Sequence, residues 1–196
     1  SFGESHGPAL GCIVDGCPSQ VDFSAEILIQ ELERRRPAKH SNNLQIMGVS
    51  NAVPDTASVI SQRAEPDIPE VLSGIFNGLT LGTPIAMIVR NQDARSLDYN
   101  SILNSPRAGH ADDVWKSKFG ISDHRGGGRS SGRETLTRVM AGSVAYMMLR
   151  KLCPEVEIHG YIQEMGPMKL TLTEEEKFLN LTQISARQWE RIQANG

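Results

Sequence analysis

The run Arg125-Gly126-Gly127-Gly128-Arg129-Ser130-Ser131-Gly132-Arg133-Glu134-Thr135 concentrates more binding chemistry than any other stretch of the chain. Its glycines can turn through positive φ and leave backbone N–H groups unscreened by side chains. Ser131 and Glu134 stand as a Ser-x-x-Glu capping box, which predicts a helix starting there. The guanidinium forks of Arg125, Arg129 and Arg133, the hydroxyls of Ser130 and Ser131 and the positive end of a helix dipole together make an anion site. No Gly-Lys-Ser/Thr triplet closes the run, and its glycine offsets do not fit G-x-G-x-x-G. The expectation is a phosphate site of a less common kind than an ATPase or nicotinamide loop.

Two other segments carry proton-transfer chemistry. Gly3-Glu4-Ser5-His6-Gly7 sets a carboxylate, a hydroxyl and an imidazole between glycines. Arg107-Ala108-Gly109-His110-Ala111-Asp112 again places an imidazole beside glycine, arginine and a carboxylate. Histidine is the side chain best suited to moving protons near neutral pH, although a lone histidine beside a strand is often structural.

The elements that must position these groups follow from pattern. The apolar run after His6 predicts a strand over Ala9–Asp15, closed by Gly16 and Pro18. Ser24 is an N-cap for a helix over Ser24–Arg36, with Ile27, Leu28 and Leu32 on its buried side and Arg34, Arg35 and Arg36 in its last turn. A short helix Ile68–Phe76, a strand Pro84–Arg90, a loop Asn91–Asp123, a helix Ser131–Leu152 and a strand Glu155–Gln163 complete the reading. The long helix rests on Leu136, Val139, Met140, Val144, Met147, Met148 and Leu152 at helical spacing. Thr173-Glu174-Glu175-Glu176 is a further capping-box pattern, with a polar helix around Ala186 to Ile192. Helices and strands mix without regular βα alternation, which predicts an α+β fold.

Composition bounds the partners. The chain has 196 residues, 39% hydrophobic and 22% charged, enough for one domain with a real core. A net charge of −3 argues against nucleic acid as the main partner, and 5% aromatic residues against base-stacking platforms. Cys12, Cys17 and Cys153 lack zinc spacing, so free thiols in a reducing compartment are expected rather than disulfides or a metal site. No stretch has the length of a membrane span and no signal peptide is legible, so a soluble intracellular protein is the expectation.

These residues carry a family resemblance. Gly3-Glu4-Ser5-His6-Gly7 with Gly11, Val14-Asp15-Gly16 and Pro18 resembles the first signature of chorismate synthase, and Gly126 to Thr135 with Arg138-Val139 and Ala141-Gly142 resembles its second. Arg34-Arg35-Arg36-Pro37, Glu65-Pro66-Asp67, Leu72-Ser73-Gly74-Ile75-Phe76, Gly82-Thr83-Pro84-Ile85, Arg95-Ser96-Leu97-Asp98-Tyr99 and Gly109-His110-Ala111-Asp112 lie between them in the family's order. The similarity spans Ser1 to about Gly166. Two departures stand out. The stretch 38–61 is an insertion loop without arginine, so a further family arginine has no counterpart beyond Ser41 or the nearby Lys39. The family's third signature, an Arg-x-Asp-Pro-like segment, has no match, and a short strand normally precedes the first.

The resemblance implies a β–α–β sandwich, helices between two antiparallel sheets, assembled as a homotetramer. The chain would be a single domain over 1–196, truncated at both ends and so incomplete. The implied activity is that of a lyase of the shikimate pathway, which makes precursors of the aromatic amino acids. It converts 5-O-(1-carboxyvinyl)-3-phosphoshikimate (EPSP) to chorismate and phosphate by anti-1,4-elimination with reduced FMN. NADPH is a candidate reductant. His6 and His110 are implied as catalytic, Arg129, Ser130 and Ser131 as flavin-binding, and Ser5, Arg35 and Arg133 as substrate-binding. No metal, nucleic acid or membrane partner is implied. The location is cytoplasmic, with a plastid left open. The rival readings are an inactive fragment, a flavin- or phosphate-binding module without turnover, and a flavin-dependent oxidoreductase.

Overall fold

The computed structural model describes residues 1–36, 65–92, 105, 107, 109–158, 164–165 and 168–169, in two compact units, Ser1–Cys153 and Pro154–Gly196. In the first unit the order is β1 (Ala9–Val14), α1 (Ala25–Arg35), β2 (Pro69–Val71), β3 (Ile75–Phe76), β4 (Leu79–Thr80), β5 (Ile85–Arg90), α2 (Asp112–Phe119) and α3 (Thr135–Leu152). In the second, β6 (Glu164–Met165) and β7 (Met168–Lys169) form an antiparallel pair.

β5 is the central strand of a three-stranded antiparallel sheet ordered β1-β5-β2. Leu10, Cys12 and Val14 stand opposite Val89, Met87 and Ile85. Directly opposite residues share a face, so the period-two alternation of β1 and β5 places one apolar set on one side. Val89 and Met87 are fully buried there. Pro69 opens the edge strand β2, where its missing N–H costs the ladder nothing. Of the two long helices, α3 packs on β1 and α1 packs on α3. Leu28 and Leu32 of α1 and Leu136, Met140, Val144 and Met147 of α3 join the strand residues in one cluster. Leu152 falls outside it and is exposed.

Most boundaries match the sequence pattern. Ser24 has extended φ of −108° and its Oγ accepts from Ile27 N at 3.2 Å, the expected N-cap of α1. The α+β class holds as well.

Four expectations need correction. The segment read as a helix over Ile68–Phe76 is two strands instead. Leu72 N–H donates to Ala86 O at 2.8 Å and Ser73 Oγ accepts from Ala86 N at 3.2 Å, so β5 takes this segment's pairing groups. It then turns into the β3–β4 hairpin through Asn77-Gly78, whose φ values of 49° and 76° are those of a type I′ turn. The expected loop Asn91–Asp123 contains α2, with Asp112 and Asp113 in its first turn and Lys116 and Lys118 in its last. Gly120 closes it at φ 78°, donating to Lys116 O. The helix expected from Ser131 is α-helical only from Thr135, after a 3₁₀ turn over Gly132–Glu134. No strand forms over 155–158, where the chain is turn and irregular; 159–163 lie outside the described residues. So do the insertion 38–61 and the segments 173–176 and 186–192.

Candidate functional site

The residues before β1 are held from three directions. Phe2 N–H donates to Gly11 O and Gly11 N–H to Phe2 O, both at 2.9 Å. Asn91, just past β5, donates through Nδ2 to Gly7 O at 2.7 Å and Glu4 O at 3.2 Å. Arg129 donates to Gly3 O at 2.9 Å and to Ser1 Oγ at 2.7 Å. Ser5 and His6 are thereby fixed in a tight turn and buried, with His6 Nδ1 3.2 Å from Ser5 Oγ.

The glycine run meets this turn. Gly126, Gly127 and Gly128 are buried and adopt φ of 59°, 81° and 50°, a succession that side chains rarely allow. Their N–H groups were expected to form an open anion cradle. Instead Gly127 N–H donates to His124 O at 3.3 Å, and Gly128 O accepts from Ser5 N at 3.4 Å. The missing side chains make room for imidazoles: a Cβ on Gly126 would stand 2.0 Å from His6 Cε1 and Nδ1, and one on Gly127 2.0 Å from His110 Cε1. His6 and His110, 104 positions apart in sequence, rest on adjacent residues.

His110 sits in a charged cluster. Its Nδ1 lies 2.9 Å from Asp112 Oδ1 and 3.0 Å from Arg107 Nη2. Arg107 donates through its backbone N–H and Nε to Asp112 Oδ2 at 3.1 and 3.0 Å. These Arg107 bonds hold the Asp112 carboxyl down at about 2. His110 Nδ1 thus faces a carboxylate acceptor and a guanidinium donor together, and the two hold the orientation of the ring.

Arg35 and Arg133 come from the end of α1 and the turn before α3, and they converge on a residue that sequence reasoning did not assign. Asp67 is buried at φ 50° and accepts from Arg35 Nη2 at 2.6 Å and from Arg133 Nη1 at 2.9 Å. Two cations satisfy one buried carboxylate, the arrangement that makes such burial tolerable. Arg133 also donates through Nε to Asn91 Oδ1 at 2.8 Å, so Asn91 joins the arginine pair to the Ser5–His6 turn. Arg35 Nε–H is buried without a partner among the described residues, a donor available to an anion. Glu65-Pro66-Asp67 was visible as a block in the sequence; Asn91 gave no signal.

Arg129 and Ser130 line a cavity of about 520 Å³ with Glu4, His124, Gly127 and residues of α2. That volume is in the usual range of small-molecule sites, roughly 300–1,000 Å³. Ser130 Oγ is buried without a hydrogen-bond partner among the described residues, an unused hydroxyl on a residue that lines the cavity. Ser131 serves the backbone instead, since its Oγ accepts from Arg133 N at 3.3 Å and caps the 3₁₀ turn. Glu134 does not return the capping bond expected of it but pairs with Arg129 Nη2 at 3.0 Å. Arg125 is drawn away by Asp123, with Nη2 2.7 Å from its carboxylate, which lowers the Asp123 pKa.

A family model described as chorismate synthase matches residues 1–195. The chain is 58% identical over 171 residues to the chorismate synthase of Bdellovibrio bacteriovorus, covering 87% of this chain and 46% of that protein. It is 45% identical over 195 residues to that of Nitrosospira multiformis, covering 100% of this chain and 42% of the relative. The chain thus spans less than half the length of these relatives. A crystal structure of chorismate synthase aligns with a TM-score of 0.50 at 30% identity, covering 78% of this chain and 33% of that one.

Proposed function

The chain belongs to the chorismate synthase family, and on that footing we propose that it contributes the active site at which EPSP loses phosphate to give chorismate. The observation that carries this reading is the seating of His6 and His110 on adjacent glycines, with Asn91 joining the His6 turn to the Arg35–Asp67–Arg133 cluster. Arg35 and Arg133 bind the substrate's anionic groups, with the Arg35 Nε–H as a preformed donor. Ser5 fixes the His6 ring, and His6 hands a proton to the departing phosphate oxygen as the carbon–oxygen bond breaks. His110, oriented by Asp112 and seated on Gly127, two residues that line the cavity, is assigned to the cofactor.

The residues lining the cavity fit reduced FMN at the level of donor chemistry. Arg129 and the buried Ser130 hydroxyl suit an anionic group, and Ser131 holds the turn that presents them. When bound, the reduced flavin supplies transient electron donation that helps phosphate leave without net redox change. The family's homotetramer and a cytoplasmic setting belong to the same reading.

Anaerobic incubation of the protein carrying this chain with EPSP and reduced FMN tests the proposal. Equal yields of chorismate and phosphate are expected. Net oxidation or reduction of the substrate would replace the lyase reading with an oxidoreductase. A second reading, flavin or phosphate binding without turnover, rests on the cavity at Arg129 and Ser130 alone. FMN retention with no phosphate release would establish it.

A further inference from the structure

We propose that Gly126 and Gly127 are positioning residues, each forming the seat of one imidazole, so that a single backbone step sets the placement of His6 relative to His110. Anion binding would require open N–H groups on this loop, whereas the three glycines are buried and Gly127 N–H is engaged by His124 O. The close approach is specific in its pairing. The nearest atoms to a Cβ on Gly126 all belong to His6, at 2.0, 2.0 and 3.1 Å. Those on Gly127 are His110 Cε1 at 2.0 Å and Nδ1 at 2.8 Å, then Arg107 Nη2 at 3.0 Å. Gly128 faces neither ring and packs on the Asp123 backbone, with Asp123 O at 2.8 Å, which anchors the loop. Successive Cα atoms are about 3.8 Å apart, so the two rings abut points separated by one residue's reach. Any side chain at either glycine must displace the imidazole above it, besides meeting the left-handed backbone. The two displacements differ in ease. The His110 side chain is 30% exposed and can swing outward, whereas His6 is enclosed.

The inference goes beyond the proposed function and rests on it only for the link to turnover. Its test is the ¹⁵N imidazole signals and pH titrations of His6 and His110 in intact Gly126→Ala and Gly127→Ala proteins. Gly142→Ala, in α3 with open space at its Cβ position, is the control. Gly127→Ala is expected to shift the His110 signals and titration and leave those of His6 in place; Gly126→Ala is expected to do the reverse. If Gly126→Ala does not fold, Gly127→Ala decides alone. Unchanged His110 signals in Gly127→Ala, or equal shifts of both rings, would overturn the inference. Turnover is measured alongside, with a fall in kcat of about 10-fold or more expected at little change in KM. A displaced ring with normal turnover leaves the seats standing and removes the catalytic reading of that histidine. Lost turnover with both rings in place removes the seats.

Discussion

At the scale of single residues, the site divides proton-handling groups from charge-holding groups, and each half makes its own prediction. His6→Ala and His110→Ala are expected to lower turnover about 10²–10⁴-fold, the scale of a lost general acid or base, with a smaller change in substrate affinity. Steady-state kinetics of both variants checks this, and near-normal kcat in both would leave the imidazoles with packing roles only. Asp112 supplies a pH prediction. Its carboxyl is held at about 2 against an ordinary 3.8, first through the Arg107 side-chain bonds. A depressed carboxyl stabilises the fold fully above its ordinary value and loses that contribution as pH falls toward the folded one. The His110–Asp112–Arg107 cluster should therefore stay intact to below pH 3.8 and release toward pH 2, with its stabilising effect unchanged near neutrality. Carboxyl ¹³C titration reads the midpoint, and Arg107→Ala should raise it toward 3.8. Asp67→Asn makes the third prediction. It removes the charge shared by Arg35 and Arg133, and breaking a buried pair from one side costs on the order of 3–5 kcal/mol. Urea denaturation should show that loss, partly restored by added phosphate; unchanged stability would mean Asp67 is not their counter-charge.

At the scale of elements, legibility followed the range of the forces. α1 was readable because its cap and its apolar stripe are local: Ser24 Oγ bonds three residues on, and Leu28 and Leu32 are one turn apart. Ser24→Ala should cost about 1 kcal/mol, and Met140→Ala on the facing helix about 2–5 kcal/mol because it opens a cavity in the shared core. Thermal and urea unfolding of the two variants measures both, and a Ser24 loss as large as the Met140 one would contradict the packing described. β2 and β3 were misread because Ile68, Val71, Leu72 and Ile75 fit a helical spacing locally, while the actual partners, β5 for β2 and β4 for β3, lie beyond them in sequence. The hairpin signal was nonetheless present in Asn77-Gly78. α2 was hidden for another reason. It has no buried residue, so no apolar stripe announces it, and only its terminal charges and Gly120 mark its ends. In the site, the histidines and arginines were visible as types. Asp67 stood in a visible block without a role and Asn91 gave no signal, because both act by joining segments distant in sequence.

At the scale of the whole molecule, the question is how much of the proposed chemistry these 196 residues can perform by themselves. The chain covers 46% of the Bdellovibrio relative, so more than half of that protein's length has no counterpart in the alignment. The described surface also carries apolar side chains that water should not face in a finished assembly. Ile68, Leu72, Phe76 and Leu81, on and beside the β2–β4 segment, are each at least half exposed. Apolar side chains left facing water in this number promote association. The 196-residue chain alone is therefore expected to self-associate and to release no phosphate from EPSP with reduced FMN, while a full-length relative turns over under the same anaerobic conditions. Light scattering and phosphate release, measured together, separate the two causes. A well-behaved, non-associating chain that binds FMN but does not turn over would point to chemistry supplied from outside these residues. An aggregated chain without FMN binding would point to uncovered surface. Turnover near the full-length rate would instead place the whole active site within the Ser5–His6 turn, the glycine seats and the Arg35–Asp67–Arg133 cluster. That outcome is the less expected one, since the cavity beside Arg129 and Ser130 is lined on one side by α2, a helix with no buried residue to anchor it.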